Sequence, residues 1–169
     1  MTENDHPLQR ADDYDSTHDT QTHIDRVSRL LSYFAAELEA RGKIHDDSKL
    51  GPVEKPLFDK LTPRLFTLTY GSREYEEALK ELKPALDHHY ANNRHHPQYF
   101  RNGLNDMNLL DIVEMLIDWK AATERHNDGD IYDSIRINQK RFGISDQLTQ
   151  IFINTAKAMG WKSPTMPTT

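Results

Sequence analysis

Cysteine is absent from this chain of 169 residues. That excludes disulfides and any thiolate zinc site, so a metal here must be held by nitrogen and oxygen ligands. Long apolar runs are also missing. None approaches the roughly 18 residues needed to span a bilayer, and the opening MTENDHPLQR has none of the marks of a secretory signal. The expected setting is cytoplasmic, with no membrane partner. A basic surplus is lacking too. The net charge is −6, so no broad cationic face points to duplex nucleic acid as a partner.

The negative charge is uneven. Residues 1–19 hold Glu3, Asp5, Asp12, Asp13, Asp15 and Asp19 against Arg10 alone, which leaves the rest of the chain nearly neutral. So acidic and polar a stretch cannot bury enough surface to fold by itself, and residues 1–19 read as a disordered tail. SPTMPTT at the other end gives a second loose segment, 163–169. Between them, residues 20–162 are long enough for one domain with a real core.

Apolar spacing in that domain is helical. Ile24, Val27, Leu30, Leu31, Phe34, Ala35 and Leu38 recur at intervals of three and four, and Gly42 supplies a stop. The stretch 65–70, LFTLTY, has strand-like residues but no strand to pair with, so a loop or helical segment is expected. Ser72 can cap a helix beginning REYEEALKEL. Pro84 then predicts a kink or break before the segment with His88 and His89, because proline lacks an amide hydrogen and crowds the preceding turn. Pro97 disfavours helix at His96. From Asn108, the residues Leu109, Leu110, Ile112, Val113, Leu116, Ile117 and Ala121 form the most hydrophobic stretch, expected to be a central helix. Asp130 and Ser145 can cap two more helices that end at Gly143 and Gly160. The fold class is all-α, a bundle of about six or seven helices.

Four places can carry chemistry. His23 lies on the first turns of the first long helix, and His45-Asp46 offers one imidazole and one carboxylate from a single short segment. HHYANNRHHPQYF, residues 88–100, packs four of the nine histidines into thirteen positions. Each imidazole needs a partner for at least one ring nitrogen, so two adjacent pairs are hard to explain by packing alone. Last, Asp111, Glu114 and Asp118 are spaced by three and four and share one helical face. A carboxylate in the most apolar stretch must find a cation, a metal or several donors. Tyr90, Tyr99, Phe100 and Trp119 flank the cluster and read first as packing residues.

The order His23, His45-Asp46, two histidine pairs, Asp118 resembles the HD-domain superfamily of metal-dependent phosphohydrolases. HDDSK is close to that family's frequent HD-x-G-K, with Ser48 in place of glycine and Lys49 where lysine is often found. IDWKAATERH resembles the segment beginning one residue before the last aspartate, which favours Asp118 over Asp111 for that role. The histidine-rich stretch is similar to the second-metal region of the cyclic-dinucleotide phosphodiesterase branch but lacks its GYP signature. As a whole the chain also resembles an uncharacterised HD-like family of bacteria and phages.

The resemblance implies a divalent metal (manganese, iron, cobalt, magnesium or zinc) held by His23, His45, Asp46 and Asp118. A second ion would be bridged by Asp46 and held partly by His89 and His96, with the choice inside each histidine pair left open. It further implies hydrolysis of a phosphate ester or anhydride, with a nucleotide as the expected small-molecule substrate. Asp46, Lys49 and Glu114 would serve the reaction, Glu114 by orienting water or a ligand imidazole, and Lys49 and Arg94 would neutralise charge on the phosphoryl group. Two alternatives fit the same residues: a di-iron oxygenase of HD type, and a metal- or nucleotide-binding module without catalysis.

Overall fold

A computed structural model describes residues 14–68, 72–125 and 129–161. Among these there are six α-helices and no strand: α1 Thr17–Ile44, α2 Lys55–Thr67, α3 Arg73–Asn92, α4 Leu109–Thr123, α5 Ile131–Phe142 and α6 Asp146–Ala158. Short 3-10 turns at Asp47–Leu50, Pro97–Tyr99 and Gly103–Asp106 join some of them. No described helix is long and apolar enough to cross a membrane. Most of the expected acidic tail, residues 1–13, and the C-terminal segment 163–169 lie outside the described residues, as do Thr69 and Tyr70 of LFTLTY.

The chain divides into two compact units, one up to Ala40 and one from Arg41 onward. The first contains most of α1. That helix begins within the acidic stretch, where Asp15 accepts hydrogen bonds from the Thr17 amide (2.9 Å) and hydroxyl (2.6 Å). None of its residues is buried, and Ile24, Val27, Leu30, Leu31 and Phe34 are exposed. Helical spacing fixes the conformation and the shared face; burial depends on what covers that face.

In the second unit, α2 packs against α3 around Leu61, Leu82 and Ala85. Of the kink or break expected at Pro84, the break does not occur: α3 runs unbroken from Arg73 to Asn92. Proline removes one bond of the helical ladder at a cost of about 3 kcal/mol. The continuous buried face of Ala78, Leu82, Ala85 and His89 offsets that loss and carries the helix through. At its start, Ser72 accepts from the Tyr75 amide as expected of a cap.

The main core joins α4, α5 and α6. Met115, Leu116 and Trp119 of α4 pack with Ile131, Ile135, Ile144, Phe152 and Ala156. Trp119 meets Phe152 edge-on at 5.8 Å and stacks parallel to Phe142 at 6.4 Å. Asp130 and Ser145 cap α5 and α6, and Gly143 ends α5 in the left-handed conformation, φ 63°. Helix α4 is less enclosed than its composition predicts. Leu109 and Ile117 are exposed, because the buried stripe is Asp111, Met115, Leu116 and Trp119.

Candidate metal centre

Three segments of the second unit converge. The first follows the end of α1, where Asp46 adopts φ 61°, the only positive φ at a non-glycine residue among those described. A left-handed aspartate costs on the order of 1 kcal/mol. That conformation turns the chain from α1 into the turn Asp47–Leu50. The second segment is the last turn of α3, with buried His89, and the loop after it, with buried His95 and half-buried His96. His96 is extended (φ −99°, ψ 128°), as the following Pro97 requires. The third is the face of α4 bearing Asp111, Glu114 and Asp118.

The convergent atoms are ring nitrogens and carboxylate oxygens. His89 Nε2 lies 2.9 Å from His96 Nε2 and 3.2 Å from Asp46 Oδ1, and His95 Nε2 lies 3.5 Å from the same oxygen. His45 Nε2 is 3.6 Å from both Asp46 Oδ2 and Asp118 Oδ1. Ligand atoms of Asp46, His89, His95 and His96 form one group close enough to hold an ion, and those of His45, His95 and Asp118 form another. Two ligands about 2.1 Å from one ion at 90–109° are separated by roughly 3.0–3.4 Å. The observed spacings cluster around that range.

Two glutamates set the orientation of the rings. Glu54 is fully buried, and its oxygens meet His88 Nδ1 at 2.7 Å and His89 Nδ1 at 3.0 Å. Glu114 Oε1 meets His45 Nδ1 at 3.0 Å and His95 Nδ1 at 3.3 Å. An ionised carboxylate only accepts, so the Nδ1 atoms donate, and in the neutral imidazoles the lone pair is placed on Nε2. Three histidines thus present Nε2 to the space beside Asp46. Ser48, where the family resemblance leads one to expect glycine, also contributes: its hydroxyl lies 3.2 Å from His89 Nδ1 and accepts from Asn93 Nδ2 at 2.7 Å.

The charges follow from this packing. Asp118 and Glu114 raise His45 to about 10, and burial only partly opposes them. Burial, aided by His95 and His89, pushes His96 down to about 3. Burial disfavours the charge on Asp46, Glu114 and Asp118, but their histidine partners, with Lys49 for Asp46, hold all three below the usual carboxylate range.

The other expected site residues fall as follows. His23 is exposed on α1 in the first unit and belongs to neither ligand group. His88 braces against Glu54 and also stands outside both groups. Lys49 donates to Asp46 Oδ2 at 2.5 Å and lies over the Phe58 ring. Asp111 is fully buried, accepts from Arg41, Arg94 and the Asn108 amide, and so is engaged away from the ligand groups. Asp118 is the α4 aspartate among the ligand atoms.

A family model described as a family of unknown function, DUF5662, matches residues 12–158. The chain belongs to this family. No curated protein and no solved structure matches it.

Within this DUF5662 member, the donor set can be tested against a divalent ion from the polar groups left over. Asp46 Oδ1 and His95 Nε2 are buried and have no hydrogen-bond partner. Buried polar atoms are nearly always satisfied, and these two lie 3.5 Å apart beside the same space. A cation coordinated by nitrogen and oxygen would satisfy both, so the residues fit a metal. Sequence reasoning missed two members of the centre, Glu54 and Arg41, and left the choice between His95 and His96 open. His95 had a signal in its doublet with His96, while Glu54 in GPVEKPLF and Arg41 before Gly42 carried none.

Proposed function

We propose that this protein is a divalent-metal-dependent phosphohydrolase of HD type, acting on a phosphate ester or anhydride of a small molecule, with a nucleotide as the leading substrate class. The observation that carries the proposal is the convergence of His45, Asp46, His89, His95, His96 and Asp118 around unpartnered buried lone pairs. Their order along the chain supports the HD-type reading. His23 lies in the first unit, and the ligand set proposed here is the one drawn from the second.

A bound divalent ion lowers the pKa of its water toward neutrality and polarises a phosphoryl oxygen. The protein's own groups do the rest. Glu54 and Glu114 hold the imidazoles in the tautomer that offers Nε2. Lys49, tied to Asp46, stands ready to meet negative charge on the phosphoryl oxygens. Glu114 works as a positioning residue here, through His45 and His95.

The test is a phosphate-release screen over nucleotides and cyclic dinucleotides with manganese, cobalt, magnesium or iron added to the full chain. Release that depends on metal and disappears in Asp46→Ala supports the proposal. Binding without phosphate release would leave a binding module, and a mixed-valence di-iron signal responding to dioxygen and an organic substrate would replace hydrolysis with oxygenation.

A further inference from the structure

Beside the candidate centre lies a cavity of about 300 Å³, lined by Arg41, Arg94, Glu114, His45 and His95, with Ile44 as an apolar wall. From its two guanidiniums we infer that this cavity is a binding site for a small oxyanion, a phosphate group or its chemical equivalent.

Both arginines are oriented before any ligand arrives. Asp111, fully buried, accepts from Arg94 Nε (3.1 Å) and Nη2 (3.0 Å) and from Arg41 Nη1 (2.7 Å). The Asn108 amide also donates to it at the start of α4. The Arg94 guanidinium additionally lies over Phe100 at 4.9 Å and Tyr99 at 5.4 Å. Ordering a long side chain is a main cost of binding, and here the fold has already met it.

The hydrogen-bonding capacity is not exhausted by these contacts. A guanidinium carries five N–H donors. Asp111 and Glu114 engage only Nη1 of Arg41, and Asp111 engages Nε and Nη2 of Arg94. The Arg94 side chain is 43% exposed, which leaves it open to solvent. One buried carboxylate, Asp111, serves both cations, while Glu114 is shared between Arg41 and the imidazoles of His45 and His95. A pair of planar forks with donors left unengaged suits tetrahedral oxyanions better than a spherical anion.

This site does not depend on hydrolysis. Titration calorimetry of the full chain with inorganic phosphate, in chelator and at fixed ionic strength, tests it with the metal centre silent. One phosphate should bind per chain, and Arg41→Lys and Arg94→Lys, which keep the charge but lose the fork, should each weaken binding at least tenfold. In the unmodified protein, the Nε–H resonances of Arg41 and Arg94 should shift on adding phosphate, a readout that needs no variant to fold. Absence of binding, binding indifferent to both substitutions, equal competition by chloride, or unmoved arginine resonances would each overturn the inference. None of these outcomes bears on whether the metal-loaded protein releases phosphate.

Discussion

Asp46 Oδ1 and His95 Nε2 face each other 3.5 Å apart, both buried and neither hydrogen-bonded. With Nδ1 of His95 directed at Glu114, an imidazole in its neutral form would turn its Nε2 lone pair toward a carboxylate oxygen. Two lone pairs in a low-dielectric site repel unless a cation lies between them. Asp46→Asn keeps the shape of the side chain and its tolerance of the left-handed backbone, but replaces the charge. At metal concentrations near 100 times Kd, binding adds about 2.7 kcal/mol to stability, a rise of roughly 5–10 °C in Tm for a chain of this size. That rise is expected in the unmodified protein and not in Asp46→Asn, with circular dichroism unchanged. An equal rise in both would remove Asp46 from the ligand set.

Glu54 and Glu114 make a separate prediction. Each fixes the tautomer of a ligand imidazole through Nδ1, and loss of such a partner commonly costs about 10–100-fold in metal affinity. Glu54→Gln and Glu114→Gln should both fall in that range by calorimetric titration with manganese or zinc. The helical signal should persist, since glutamine fits the same space. Affinity within twofold of the unmodified protein would mean that the rings are held by packing instead.

Metal binding should depend on pH through His45. Its pKa is raised to about 10, so at neutral pH the metal must displace a proton, whereas His96, pushed down to about 3, is already neutral. Apparent affinity should therefore climb by about tenfold per pH unit from neutrality toward 10. Calorimetry in buffers of differing ionisation enthalpy should count one proton released per ion at pH 7. The metal-free protein should show the opposite trend. The stabilisation from protonated His45 is complete below about 6.5 and is lost as pH rises through about 10, the sign for a folded-state pKa above its unfolded value. A flat affinity profile would contradict the proton competition.

Asp111 and Asp118 should fail in different ways. Asp118→Ala removes a candidate ligand and should abolish the metal response, and its metal-free cost, the lost pairing with protonated His45, should fade as pH rises toward 10. Asp111→Ala leaves Arg41 and Arg94 without their shared carboxylate and breaks the reciprocal cap with Asn108. The expected cost is about 2–4 kcal/mol, below that of a fully enclosed pair because Arg94 is 43% exposed. Urea unfolding separates the two, and a stable Asp111→Ala would mean that the arginine pair does not depend on it.

Much of the local architecture was legible because it depends on neighbours in sequence. Ser72, Asp130 and Ser145 begin helices, and Gly143 ends one, since a cap needs only a side-chain oxygen or a left-handed residue at the right place. Pro84 shows the limit of that logic. Its local penalty predicted a kink or break, and the buried face of α3 carries the helix on without a break. The apolar stripe of α1 shows another, because periodicity names a shared face without saying what covers it.

For the centre, the sequence alone determined which residue types were available: nitrogen and oxygen ligands, an adjacent His45-Asp46, two histidine pairs and a face of three acids. Only the tertiary structure decided their parts. It directed His95 and His96 toward His89, kept Asp118 near His45, and drew Asp111 aside to two arginines. It also brought Glu54, 35 residues before His89, against that ring. Helical spacing can place side chains on one face over a few turns. Beyond Asn93 the chain leaves the helix, and there the direction of each imidazole is set by burial and by the carboxylate it finds, neither of which is written in local sequence.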